Sequence, residues 1–179
     1  MIDEKVLLKQ LGHSSTKEAA FTSLVREYQE PLYWQIRRMV LVHDDADDVL
    51  QNTFVKAWSA IDSFRGESRL QTWLFRIAIN ESLNFLAKKK QTLSLDMQEG
   101  SIADTLASDN YFDGDELQQQ FQSAISTLPD KQRLVFNLKY FQEMKYEDMS
   151  DLLHTSIGAL KASYHHAVRK ISAFFEEND

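Results

Sequence analysis

The stretch Tyr146-Glu-Asp-Met-Ser-Asp-Leu-Leu-His-Thr-Ser-Ile-Gly-Ala-Leu-Lys-Ala-Ser-Tyr-His-His-Ala-Val-Arg-Lys-Ile171 reads as two short helices joined by a tight turn. Leu152 and Leu153 close the first apolar pattern, and Ser156 is suited to cap the second. Ile157, Leu160, Tyr164, Val168 and Ile171 recur at helical spacing and predict one buried stripe. The opposite face carries Gly158, Ala159, Ala162, His166 and Arg169. Small residues at a helix start, followed by polar and basic ones, suit a helix that sits deep in a DNA major groove. The pattern points to a reader of nucleic-acid sequence rather than a catalyst.

The 179-residue chain is long enough for one large domain or two small ones. It has no cysteine, which excludes a disulfide framework, a thiolate zinc site and a cysteine nucleophile. Met1-Ile-Asp-Glu-Lys lacks an apolar signal core, and no apolar run approaches the roughly 18 residues a bilayer span needs. A cytoplasmic location, with no direct membrane insertion, is the expectation.

The net charge of −7 sits badly with a DNA binder, which usually carries a basic surplus. Its distribution removes the difficulty. Residues 1–90 hold 13 basic and 12 acidic groups, and residues 117–179 hold seven basic and eight acidic ones. Between them, residues 91–116 hold seven acids and no Lys or Arg. Helical periodicity lapses there too, amid Ser94, Gly100, Ser101, Ser108, Asn110 and Gly114. Leu93, Leu95 and Met97 alternate as in a strand, but the run is too short to support a sheet. The expectation is an all-α chain: a helical domain over 1–90, a flexible acidic linker over 91–116, and a helix-turn-helix domain over 117–179. Extended, the linker would span roughly 80 Å. It reads equally as a solvated tether or as a segment with a binding role.

In the N-terminal half, Phe21, Leu24, Val25, Tyr28, Leu32 and Ile36 follow helical spacing, and Pro31 is expected to break the run and open a second helix. Asp44 or Asp45 begins the next. There Leu50, Phe54, Ala57, Trp58 and Ile61 form the expected apolar stripe, with Asp45, Asp48, Asn52, Val55 and Ser59 opposite and Gln51 at its edge. An outward Val among carboxylates and amides fits a protein-binding surface, although an ordinary solvated face has the same composition. The four clustered aspartates lack the Gly and downstream Glu of a calcium loop. Ser63 to Ser68 interrupts the helices, with Gly66 marking a turn. Leu70 to Leu86 is apolar almost all round and predicts a helix packed on more than one side. One line on it, Trp73, Arg76, Asn80 and Asn84, could stack on and hydrogen-bond to exposed bases. The plainer reading is a core Trp with polar neighbours. Lys88, Lys89 and Lys90 then suit phosphates.

Four stretches in this order resemble the bacterial ECF-type (extracytoplasmic-function) sigma factors. They are Asp45-Ala-Asp-Asp-Val-Leu-Gln-Asn-Thr-Phe-Val-Lys-Ala-Trp58; Phe64-Arg-Gly-Glu-Ser with Thr72-Trp-Leu-Phe-Arg-Ile-Ala-Ile-Asn80; Leu128-Pro-Asp-Lys-Gln-Arg-Leu-Val-Phe136; and Tyr146 to Ile171. The resemblance implies that Asp45, Asp48, Gln51, Asn52 and Val55 bind core RNA polymerase. It implies that Phe64, Arg65, Gly66, Ser68, Thr72, Trp73, Arg76, Asn80 and Lys88 hold the opened minus-ten strand of promoter DNA. The helix from Ser156, with Lys161, Ser163, His165, His166 and Arg169, would read the duplex minus-35 element. An anti-sigma factor is the further partner that such proteins commonly have, and the acidic linker would thread toward the polymerase channels. No cofactor or metal is implied.

The chain departs from that family at four positions. Lys145 stands where a capping Ser or Thr is common, His154 where the turn Gly is usual, and Ser163 and Ala159 where Arg and Thr often occur. His tolerates positive φ better than most residues, so the turn is expected to survive. Two other functions fit these features less well. A stand-alone regulator would share the helix-turn-helix but would not need the Phe64–Asn80 elements. A hydrolase built on His165 and His166 is disfavoured because adjacent helical side chains diverge by about 100°.

Overall fold

The structure is a computed structural model and describes residues 3–95 and 116–178. Every regular element among the described residues is helical. The chain divides into two compact units, Met1–Thr92 and Leu93–Asp179.

The first unit begins with α1 (Glu4–Leu11), capped by Asp3, whose carboxylate accepts from the Lys5 amide at 2.9 Å. Leu7 and Leu11 point inward and are buried. Helix α2 (Lys17–Val40) runs unbroken through Pro31, against the expected break. A mid-helix proline costs one backbone hydrogen bond and a ring clash, about 3 kcal/mol. Burial of Leu24 before it and Leu32, Ile36, Met39 and Val40 after it, with Pro31 itself exposed, offsets that cost. The helix ends at Leu41 in a left-handed conformation (φ 70°), and the buried Arg37 guanidinium donates to the Leu41 carbonyl.

Helix α3 (His43–Ala60) packs on α2 and leads into a 3-10 turn, Ile61–Ser63. Its buried line is Ala46, Val49, Thr53 and Ala57, rotated from the expected Leu50–Phe54–Trp58 stripe. Small residues let α3 approach α2 closely. The Thr53 hydroxyl is satisfied inside by donating to the Val49 carbonyl at 2.7 Å. Trp58 stays 40 % exposed, edge-on to Phe21 with Lys17 Nζ 4.8 Å from the centre of its ring. Helix α4 (Leu70–Leu95) buries Leu70, Leu74, Phe75, Ala78, Ile79 and Ser82 on a broad face, as its nearly continuous apolar pattern predicts. It also takes in Leu93 and Leu95, which the sequence pattern had set in a strand-like alternation. The remainder of the expected linker lies outside the described residues.

The second unit holds α5 (Glu116–Ser126), α6 (Asp130–Tyr140), α7 (Tyr146–Leu153) and α8 (Ile157–Asn178). Its core gathers Ala124, Ile125, Leu128, Phe136, Ala167 and Ile171, with Phe121, Phe141, Tyr164, Phe174 and Phe175 packed against them. The Phe136 ring stacks on Tyr140 at 5.2 Å and on Tyr164 at 5.8 Å. On α8 the buried line runs Leu160, Ala167, Ile171; Val168, expected inside, is 38 % exposed. The bulky Tyr164 fills the space on that side, so the small Ala167 seats the next turn.

Pro31 is solvent-facing in a helix interior, so Pro31→Ala should stabilise the protein by roughly 1–3 kcal/mol, read as a higher urea midpoint at unchanged slope.

Candidate nucleic-acid interface

Three surfaces emerge from this packing. The first lies at the mouth of α4. Between the 3-10 turn and α4 the backbone turns at Gly66, whose φ of 72° strains any other residue type. The loop meets the start of α4 where Phe64 packs against Trp73, with 5.3 Å between ring centres. They enclose a cleft of about 350 Å³ lined by Ser63, Phe64, Arg65, Glu67, Ser68, Trp73 and Arg76. It offers an aromatic wall, two guanidinium groups, a carboxylate and hydroxyls. That combination suits an unpaired base, which needs a stacking partner and polar groups for its edge. Trp73 is half-buried. It is therefore neither the fully enclosed core residue of the plain reading nor a free side chain.

Along α4 the line continues outward through exposed Thr72, Arg76, Asn80, Asn84 and Lys88. Lys89 departs from the expected phosphate-binding lysine run: its Nζ lies 2.6 Å from the Asp45 carboxylate on α3. A second bridge, Lys56 to Glu81 at 2.5 Å, joins the same two helices. Neither pairing was legible in the sequence, because the partners lie 44 and 25 residues apart. Glu67 in the cleft was missed as well; nothing in the loop's composition singles it out.

The second surface is the outer face of α3. Asp48, Gln51, Asn52 and Val55 are exposed there, Val55 at 59 %. Asp45 starts the same row but is turned to Lys89 and half-buried. The outward apolar side chain flanked by carboxylate and amides is laid out as the sequence pattern describes.

The third surface is in the second unit. Lys145 gives α7 no side-chain cap, and His154 ends it in the left-handed region at φ 49°, ψ 43°. Ser156 Oγ accepts from the Ala159 amide at 3.3 Å and opens α8. Gly158, Ala159, Lys161, Ala162, His165, His166 and Arg169 are exposed on α8, with Ser163 half-buried beside Tyr164. Lys161 Nζ rests 5.7 Å from the centre of the Tyr146 ring, with Lys139 at 4.9 Å from the same ring. Burial, and then Tyr164, pushes the Tyr146 phenol pKa up. The lead-in residue Arg133 is buried and donates to the Leu128 carbonyl at 3.0 Å and the Ser126 carbonyl at 3.3 Å, while pairing with Asp130 at 2.7 Å. One guanidinium thus closes the C-terminal end of α5 and orients α6.

No group of three or more metal-ligating side chains among the described residues could hold an ion, and no helix among them is long and apolar enough to cross a membrane.

Comparison with known proteins bears on all three surfaces. The Sigma-70 region 2 family matches residues 24–92, and the Sigma-70 region 4 family matches residues 118–171. An ECF RNA polymerase sigma factor, SigW of Bacillus subtilis, is 32 % identical over 156 residues, covering 82 % of this chain and 83 % of the relative. The ECF RNA polymerase sigma-E factor of Escherichia coli is 29 % identical over 171 residues, 90 % of this chain and 88 % of its own. Among solved structures, the sigma factor RpoE of Bartonella quintana, in complex with the anti-sigma factor NepR, superposes with a TM-score of 0.69 at 25 % identity. That match covers 87 % of this chain and 96 % of the other.

A left-handed His pays a steric cost that Gly does not. His154→Gly should therefore stabilise the second unit by up to about 1 kcal/mol, measured by chemical denaturation.

Proposed function

We propose that this chain, which belongs to the ECF family of RNA polymerase sigma factors, divides promoter-specific transcription initiation among the three surfaces just described. The outer face of α3, through Asp48, Gln51, Asn52 and Val55, docks on core polymerase. Asp45 contributes less than its neighbours because its charge is already matched by Lys89. The Phe64–Ser68 cleft takes a base flipped from the minus-ten strand, while Thr72, Trp73, Arg76, Asn80 and Lys88 support the strand beyond it. The exposed face of α8, with Lys161, His165, His166 and Arg169 pointing outward, enters the major groove of the minus-35 element.

The cleft is the observation that carries this reading. A protein that reads only duplex DNA has no use for an aromatic-walled cleft of about 350 Å³, roomy enough to take an unpaired base. Flipping a base costs a few kcal/mol, so a slot that repays the cost for the right base makes opening itself selective. Near-neutral domains fit the same division of labour: binding to promoter DNA alone is weak, and polymerase adds the missing contacts. The chain acts as a specificity subunit in the cytoplasm and supplies no catalytic group. An anti-sigma factor, of the kind bound to the Bartonella relative, is the inhibitory partner that fits these exposed faces.

Run-off transcription with purified core polymerase tests the whole proposal: discrete transcripts should require both components, and their absence despite polymerase binding to known ECF promoters would overturn it. Trp73→Ala and Asn80→Ala should each lower heparin-resistant open complexes, Trp73→Ala by about tenfold through the lost stack, with polymerase affinity unchanged. Asp48→Arg combined with Gln51→Ala should weaken polymerase binding by at least about tenfold in a competition assay, and Asp45→Ala by much less.

A further inference from the structure

We infer that Glu4 is a positioning residue for promoter opening: carried on α1, its carboxylate closes the N-terminus of α4 and fixes the turn that bears Thr72, Trp73 and Arg76. The inference rests on the assignment of that face to the opened strand. Leu70, the first residue of α4, donates its amide to Glu4 Oε1 at 2.7 Å across 66 residues of sequence. The chain next to α4 provides no equivalent. Arg69 occupies the capping position, its carbonyl accepting from the Trp73 amide at 3.1 Å, and Arg has no acceptor to offer. Ser68, one residue earlier, turns its hydroxyl to the Arg69 carbonyl at 3.3 Å.

Glu4 is itself held in place. Asp3 caps α1 directly before it, and Leu7 and Leu11 anchor that helix in the core. Burial, followed by the Glu4 and Glu27 carboxylates, pushes the Tyr28 phenol up, which sets the Glu4 charge near α2 as well as α4. A negative charge at the head of a 26-residue helix also opposes the helix dipole favourably. Without the cap, the Leu70 amide loses its acceptor and the first turn of α4 is held by the burial of Leu70 and Leu74 alone. Trp73 lies in that turn, and its ring forms the cleft wall against Phe64. The matched region 2 span starts at residue 24, so α1 and Glu4 lie outside it.

The test compares Glu4→Ala, Glu4→Gln and Trp73→Ala in the full chain bound to core polymerase. Permanganate reactivity of unpaired thymines measures opening at saturating holoenzyme, alongside polymerase affinity. Glu4→Ala should lower the open fraction about fivefold, the factor corresponding to a lost cap. Glu4→Gln keeps an acceptor and loses the charge, so its loss should be about twofold. Polymerase affinity should hold in both. Normal opening by Glu4→Ala beside a defective Trp73→Ala overturns the inference alone, whereas normal opening by both overturns the reading of the face together with it. Equal proportional loss of opening and polymerase affinity in Glu4→Ala would reduce Glu4 to general stability and overturn the positioning role. Should Glu4→Ala fail to fold, Glu4→Gln decides: reduced opening at unchanged affinity supports the role, and wild-type opening overturns it.

Discussion

Helix ends leave backbone groups without partners inside the helix, and the way this chain satisfies them fixes where its surfaces lie. Some caps are local: Asp3 at α1 and Ser156 at α8. Others come from inside the fold. Arg37 closes the end of α2 on the Leu41 carbonyl, Arg133 closes the end of α5, and Glu4 closes the start of α4. Buried guanidinium groups are costly unless their donors are used, and here carbonyl oxygens at helix ends use them. Burial lowers the Arg133 pKa, with Asp130 opposing that shift. Each of these contacts sets the direction in which the next segment leaves.

The ion pairs act differently. Lys89–Asp45, Lys56–Glu81 and Lys17–Asp62 all join separate elements of the first unit and all retain some solvent contact. Exposed pairs of this kind contribute about 0–1 kcal/mol each. Their consequence is selection among charges. Asp45 and Lys89 are engaged with each other, leaving Asp48, Gln51, Asn52 and Val55 on α3 and Lys88 and Lys90 on α4 to meet other molecules. A row of charges that looks uniform in the sequence therefore presents an uneven face.

The three surfaces impose different physical demands. The cleft needs rigid walls because selecting a base depends on shape, and its walls come from a helix start and a glycine turn. The α3 face needs outward side chains on a helix whose inner line is small enough to pack closely, which Ala46 and Ala57 provide. The α8 face needs a fixed entry angle, set by the left-handed His154 and the Ser156 cap. In the second unit the stacked rings of Phe136, Tyr140 and Tyr164 tie α6 to α8, so the groove-reading helix is held by packing beneath its exposed face.

Much of this was legible in the sequence because it depends on near neighbours. The helix-turn-helix, the Ser156 cap, the His154 turn and the polar line Arg76–Asn80–Asn84 follow from spacing of three or four residues and from local backbone preference. The family resemblance rested on the same short motifs. Local pattern failed where burial outweighed it. Pro31 breaks an isolated helix, but apolar contacts on both sides carry α2 through it; Val168 and Trp58 suit a core, yet smaller or differently placed neighbours filled it. The sequence by itself determined that the chain is helical, where the acidic excess lies, and which polar side chains share a face of α3, α4 and α8. Tertiary structure alone decided that Asp45 pairs with Lys89, that Phe64 packs on Trp73 beside a cleft, and that Glu4 heads α4. The reason is distance along the chain: these partners lie from 9 to 66 residues apart, and only packing of the helices between them brings such groups within reach.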